Sequence, residues 1–258
     1  MTWITWKGEA PESLSVPWCL WIGLSTGLGY SIQRAVKHRR TPDGMPPLRR
    51  AFWARHGRLM VALWVAFWLV FTATQWTALG LLQHSFWLIS LVVLGLLYAF
   101  VPGKSHGLRA YPWLKIPLVA TAWTLATVPV FSENTIWLVA SRWLFIAGLT
   151  LPFDIRDMEV DRSCIRTIPM IWGIRQAFNM SIVSLLLSAL LIGQHAGWHV
   201  TEVHHCMFVA QATLAAGLLT YSELRKDLTQ GSELSSEHWT GWVLDGVMWL
   251  PLLCMFVP

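Results

Sequence analysis

Long apolar segments recur along the whole chain, and they limit what it can fold into. Each is close to the roughly 20 residues that cross a bilayer as one helix. Because no linker or change of composition divides them, we expect a single domain over residues 1–258, an all-α membrane protein folded as a multi-helix transmembrane bundle of about eight spans. The segments are 15–33, 58–77, 84–102, 114–131, 135–153, 175–193, 205–222 and 240–257.

The composition excludes an ordinary soluble domain. Only 13% of the residues are charged and the mean hydropathy is +0.49, whereas soluble domains carry about 25% charged residues. A surface with so few charges is suited to lipid rather than to water. The 18 tryptophans agree with this, since Trp is enriched at membrane interfaces. We therefore expect the lipid bilayer, and no nucleic acid, among the partners of this chain.

The basic residues are distributed unevenly between the connections. Apart from Lys7 and Arg142, every Lys and Arg lies in or beside the connections after segments one, three, five and seven. Because cytoplasmic loops of membrane proteins are rich in Lys and Arg, these connections are predicted to be cytoplasmic and both termini to face outward. Arg142 lies inside the fifth segment, and Asp245 in the eighth segment is its predicted partner, since buried charges usually pair.

An acidic cluster lies at the cytoplasmic end of the fifth segment. On a helix, Asp154, Asp157 and Asp161 stand at i, i+3 and i+7, which brings all three carboxylates to one face. Like charges placed together repel unless a cation lies among them. Carboxylate oxygens suit Mg²⁺, which usually binds through one or two carboxylates together with substrate phosphates. The cluster therefore predicts a site for a phosphorylated substrate at the membrane surface.

An ordinary cytoplasmic loop is the alternative explanation of this cluster. In such a loop acidic and basic side chains neutralise each other, and Glu159, Arg162 and Arg166 would share one helix face. Three carboxylates together at the end of a span favour the functional interpretation over this one.

The residues after the cluster extend the pattern. The run Leu151-Pro152-Phe153-Asp154-Ile155-Arg156-Asp157 is followed by Asp161-Arg162, then by Thr167-Ile168-Pro169 and by Gly173. This order resembles the second aspartate-rich motif of the UbiA superfamily of intramembrane prenyltransferases. The resemblance implies a helical bundle around a central cavity and the Mg²⁺-dependent transfer of a prenyl group from a polyprenyl diphosphate to a small, often aromatic acceptor. It also implies catalytic and metal-binding roles for Asp157 and Asp161, with Asp154 supporting them.

A second set of residues resembles the diphosphate-binding part of the same family. Lys offers phosphate a point charge and Arg offers a bidentate fork. An ordinary cytoplasmic loop, which is rich in Lys and Arg anyway, is the alternative. The predicted substrate-binding residues are Tyr98, Lys104, Arg109 and Lys115, together with Arg34 and Arg162.

The first aspartate motif of the family is missing. In that motif an Asn is followed by two Asp residues at spacings of four. When Ser31 is aligned with the Asn, the two Asp positions fall on Ala35 and Arg39, and the next acidic residue is Asp43. Basic residues such as Arg34 could neutralise the diphosphate in place of one metal ion. Alternatively, the protein has lost catalysis and keeps a lipid-binding or assembly role.

The expected location is the cytoplasmic membrane of a bacterium, with the active face toward the cytoplasm. Family members begin inside the cell, whereas the charge pattern puts the start of this chain outside. Loss of the family's first helix would reconcile the two, and so would a truncated or misassigned start.

Overall fold

The regular structure of the chain is helical, with no strand in the ranges described. A computed structural model describes residues 12–40, 47–79, 85–99, 108, 111–127, 135–158, 165–195 and 203–220. Its helices are α1 (Glu12–Arg40), α2 (Pro47–Thr74), α3 (Trp76–Leu79), α4 (Ser85–Ala99), α5 (Pro112–Thr127), α6 (Thr135–Arg156), α7 (Ile168–Trp172), α8 (Ile174–His195) and α9 (Val203–Thr220).

Seven of the eight apolar segments coincide with long helices, which confirms the all-α prediction for the described part of the chain. Segment 240–257 lies outside the described residues. Three helical stretches are long and apolar enough to cross a membrane, Arg50–Thr74, Ile136–Arg156 and Ile174–Gln194, and two shorter ones are also apolar, Leu88–Tyr98 and Val209–Thr220. The finding agrees with a membrane protein, while a bundle of about eight spans stays a prediction.

The chain divides into two compact units, Pro11–Val92 and Met1–Ala10 with Val93–Pro258. In the first unit α1 and α2 form an antiparallel hairpin. The indole Nε1 of Trp21 donates to Thr72 Oγ1 at 3.0 Å, and Nε1 of Trp68 donates to Ser25 Oγ at 2.8 Å. Pro47 begins α2, a position where the missing N–H costs nothing. Small polar side chains thus satisfy the indoles of an otherwise apolar interface.

The opposite face of α2 is an exposed apolar stripe. Phe52, Leu59, Leu63, Phe67 and Val70 recur at helical spacing and are all exposed, Val70 by 64%. A stripe of this length on one helix is unusual in a soluble monomer and is suited to contact with lipid.

The second unit is built around α6 and α8. The core side chains Phe145 of α6 and Leu185 of α8 are buried between them, α5 packs against α6, and α9 packs against α8. The helices α6 and α8 approach closely at Gly148, whose carbonyl accepts a hydrogen bond from Ser181 Oγ at 2.5 Å. A Cβ on Gly148 would lie 3.0 Å from the backbone oxygen of Ser181, so only glycine fits this crossing without a shift.

Candidate functional site at the ends of α5 and α6

An ion pair joins two predicted site residues from separate parts of the sequence. Lys115 lies in the first turn of α5 and Asp154 in the last turn of α6. The two helices pack against each other, and Lys115 Nζ lies 2.6 Å from Asp154 Oδ1. Their side chains are only 12% and 3% exposed. A cation and a carboxylate buried at this distance hold each other in place, because separating them would leave each in a poorly solvated position.

The second carboxylate of the cluster, Asp157, lies just after α6. Its backbone N–H donates to the carbonyl of Phe153 at 3.0 Å, so the chain still turns as a helix at this point. Arg156 Nε donates to Asp157 Oδ1 at 2.7 Å and Arg156 Nη2 to Oδ2 at 3.0 Å. The guanidinium also lies 5.3 Å from the centroid of the Phe153 ring. Asp157 is 42% exposed and is therefore the more accessible of the two carboxylates.

The segment after the cluster returns to the same end of this unit. Residues 165–167 are not helical, and the short helix α7 follows them. The Trp172 ring at the end of α7 meets the Trp113 ring at the start of α5 edge to face, with centroids 4.7 Å apart. Gly173 then adopts φ +88° and ψ 155°, a backbone region open essentially to glycine alone. The start of α5, the end of α6 and all of α7 thus border one site.

The remaining predicted site residues are distributed as follows. Tyr98 lies near the end of α4 and is half-buried. Arg34 lies in α1, in the other unit, where its Nη2 donates to the Tyr30 hydroxyl at 3.2 Å and its guanidinium covers the Tyr30 ring. The structure therefore joins Lys115 to Asp154 and leaves Asp157 one turn away. Predicted residues that lie outside the described part of the chain are Lys104, Arg109, Asp161 and Arg162.

Comparisons with protein families, with curated proteins and with solved structures found no match. The chemistry of the site therefore has to be argued from its own residues.

The donor chemistry of the described carboxylates fits Mg²⁺, although the set is incomplete. Among the described residues no group of three His, Cys, Asp or Glu side chains could hold a metal ion. Asp161, the third predicted ligand, lies outside them. Asp154 is in contact with Lys115, whereas both oxygens of Asp157 lie at an exposed position next to Arg156. Asp157 is therefore the more exposed of the two carboxylates, but a cation bound there would have to share or displace its contact with Arg156.

The positions at which the resemblance predicts a first acidic motif lie in α1. Ser31 is buried, Ala35 is half-buried and Arg39 is exposed. Arg39 thus presents positive charge where an aspartate would present negative charge. The single acidic residue of α1 is Glu12, in its first turn, so no carboxylate of this helix lies in the turns that contain these positions.

Sequence reasoning missed two contacts at the site. Arg156 was expected only as a basic residue of its connection, yet it binds Asp157 in bidentate fashion. The contact between Trp113 and Trp172 was not predicted, because each tryptophan looked like an ordinary interface residue. The proximity of Arg156 and Trp172 to motif residues is the only signal that could have identified these contacts. Thr167, which belongs to the predicted motif, is fully buried, and its Oγ1 has no hydrogen-bond partner within the described ranges.

The arginine predicted to lie inside the fifth apolar segment is buried in α6. Arg142 is 3% exposed, and it lies more than three helical turns before Asp154. Its predicted partner, Asp245, lies outside the described residues, so the pair stays a prediction.

Proposed function

We propose that the chain is a UbiA-like membrane prenyltransferase. It would bind a polyprenyl diphosphate beside Lys115, Asp154 and Asp157 and transfer the prenyl group to a small, possibly aromatic acceptor in a Mg²⁺-dependent reaction. The contact between Lys115 and Asp154 is the observation that carries this proposal. It unites a residue of the predicted diphosphate-binding set with a residue of the predicted acidic motif at the end of two neighbouring helices.

The electrostatics of the site suit an anionic group that arrives together with a metal ion. Lys115 and Arg156 supply positive charge next to the carboxylates of Asp154 and Asp157. In this proposal Asp154 holds the Lys115 ammonium in position, so that its positive charge lies close to the phosphate oxygens of the substrate. Asp157 and Asp161 would hold Mg²⁺, which supplies positive charge to stabilise the departing diphosphate.

The reaction that this arrangement suits is the ionisation of an allylic diphosphate. The carbon–oxygen bond breaks, and its electron pair leaves with the diphosphate, whose developing charge the basic side chains stabilise. The acceptor then attacks the allylic carbon and loses a proton. The prenyl tail would lie among apolar residues of the kind that surround the site, such as Ile116 and Ile155.

A catalytically impaired UbiA-like protein with a lipid-binding or assembly role is the second candidate. The observation that favours it is the replacement of the first acidic motif in α1, where Ala35 and Arg39 occupy the expected aspartate positions. A protein of this kind would keep the fold and the second motif without turning over substrate.

The deciding experiment measures the binding of a radiolabelled prenyl diphosphate to the full chain in nanodiscs. Binding is compared with Mg²⁺ and with EDTA for the wild type and for Asp157→Ala. The matched control is Gln194→Ala, an exposed polar residue at the far end of α8. We expect binding that requires Mg²⁺, is lost in Asp157→Ala and is retained in Gln194→Ala, because Asp157 is the accessible carboxylate.

The same experiment separates the two candidates. Mg²⁺-dependent binding followed by transfer to an acceptor in a screen supports the enzyme. Mg²⁺-dependent binding without transfer to any acceptor supports the impaired protein. Equal binding by the wild type and Asp157→Ala, or none by folded wild type, would overturn the proposed site.

A further inference from the structure

The adjoining ends of α1 and α2 carry a dense positive charge. The register of the hairpin, with Trp21 facing Thr72 and Ser25 facing Trp68, brings the last turns of α1 beside the first turns of α2. Asp43 is the single acidic residue between residues 30 and 60 of the sequence. We call this region the basic hairpin end, and its Lys and Arg residues are Arg34, Lys37, Arg39, Arg40, Arg49, Arg50, Arg55 and Arg58.

Part of the basic hairpin end is turned to the outside of the unit. The side chains of Arg39, Arg55 and Arg58 are exposed, whereas Lys37 and Arg50 are half-buried and engaged in other contacts. Exposed guanidinium groups on adjoining helix ends repel one another, most strongly at low salt. A bound anion removes this repulsion.

The position of Arg55 shows which kind of anion fits. Arg55 lies three residues after Phe52 and four before Leu59, so these three residues share one face of α2. Phe52 and Leu59 are exposed members of the apolar stripe that continues to Val70. The guanidinium therefore stands at the charged end of a surface suited to acyl chains. A ligand that matches both parts has an anionic head and an apolar tail.

We infer that the basic hairpin end binds the headgroups of anionic phospholipids, with Arg55 and Arg58 contacting the lipid phosphate. The acyl chains of the same lipid lie along the apolar stripe of α2. Arg suits this role because its planar fork binds phosphate oxygens through two hydrogen bonds. The long side chains can also reach from a helix in contact with lipid to the level of the headgroups. This binding does not depend on the proposed enzyme activity.

The test uses the full chain in nanodiscs that contain equal parts of phosphatidylcholine and phosphatidylglycerol. Native mass spectrometry counts the lipids that stay bound when the protein is released. Wild type is compared with R55Q/R58Q, with the single variant R55Q and with the charge-preserving R55K/R58K. The matched control is R175Q, which removes an exposed arginine at the start of α8 in the other unit.

We expect the wild type to retain phosphatidylglycerol in preference to phosphatidylcholine. The preference should fall roughly 5- to 30-fold in R55Q/R58Q, since a basic residue near an anionic surface contributes about a factor of five. It should fall less in R55Q and R55K/R58K and stay unchanged in R175Q. The single variant R55Q keeps the test decisive if the double variant does not fold.

Three outcomes would overturn the inference. The first is a wild type without preference for phosphatidylglycerol. The second is a folded R55Q/R58Q, or R55Q if the double variant is unfolded, with undiminished preference. The third is displacement of the lipid by inorganic phosphate but not by sodium chloride at equal ionic strength, which would identify a site for a soluble phosphate instead. Loss of lipid with both salts equally supports headgroup binding, because both screen the same charges.

Discussion

At the scale of single residues, the buried ion pair between Lys115 and Asp154 links the start of α5 to the end of α6. The ammonium and the carboxylate are 2.6 Å apart and almost entirely buried. Burying each charge is costly, and the contact between the two offsets part of that cost. Removing one member therefore harms the protein more than removing both.

A double-mutant cycle tests this statement. Lys115→Ala should lower the free energy of unfolding by about 3–5 kcal/mol, the cost of leaving a buried charge without its counter-ion, and Asp154→Ala by a similar amount. The double variant should lose much less than the sum of the two. Thermal unfolding in detergent measures all three variants. Additive losses would show that the two side chains do not interact.

The sequence singled out three candidate site residues but not the contacts that they make. Asp154 and Asp157 were identified from their spacing at the end of an apolar segment, and Lys115 was identified from a resemblance to the diphosphate-binding part of a known family. Their pairing was not, because Lys115 meets Asp154 only through the packing of α5 on α6. No local pattern encodes such a contact between helices. Arg156 was missed as the partner of Asp157 for a different reason, since a basic residue after a span is expected without any site.

At the scale of helices, close approach depends on single glycines. A Cβ on Gly27 of α1 would lie 2.5 Å from the Trp64 ring of α2, well inside contact distance. The glycine thus provides the space in which the indole lies, and the hydrogen bonds of Trp21 and Trp68 follow on one side of it, toward the start of α1.

A larger side chain in place of this glycine should push α1 and α2 apart. We expect Gly27→Ala to destabilise the protein by about 1–3 kcal/mol, since the rigid indole has to move. Gly23→Ala, one turn away on the same helix, is the control, because its Cβ would meet nothing within 4 Å. That variant should be neutral or slightly more stable, as Ala favours a helix over Gly. Melting curves of equal midpoint for the two variants would contradict this account of the packing.

Helix positions followed from the apolar pattern, whereas helix ends did not. Segment 15–33 lies within α1, which continues to Arg40, and segment 58–77 overlaps α2, which begins at Pro47. The apolar pattern reports the part of a helix that lipid can surround. The polar turns beyond it are equally helical, but hydropathy carries no signal for them. The break between α7 and α8 was anticipated only as a motif glycine.

At the scale of the whole molecule, Arg142 tests whether the last apolar segment packs into the second unit. Arg142 is buried in α6, and Asp245 lies in segment 240–257. If the two pair, Arg142→Ala and Asp245→Ala should each destabilise the protein. The double variant should then be no less stable than the less stable of the two single variants. Unfolding measurements on the three variants decide the matter, and simple additivity would contradict the pairing.

At the turn between α7 and α8, the backbone groups of Gly173 find their hydrogen-bond partners within the chain. The Gly173 N–H donates to the carbonyl of Pro169 at 2.9 Å, and the Gly173 carbonyl accepts from the N–H of Ala177 at 3.1 Å. Both backbone polar groups of Gly173 are therefore satisfied by the chain itself while its direction changes. Backbone without such partners has to remain in water or in a protein interior. The corner between α7 and α8 thus needs no water to satisfy the backbone of Gly173, while the exposed charge of Arg175 beside it suits the membrane surface.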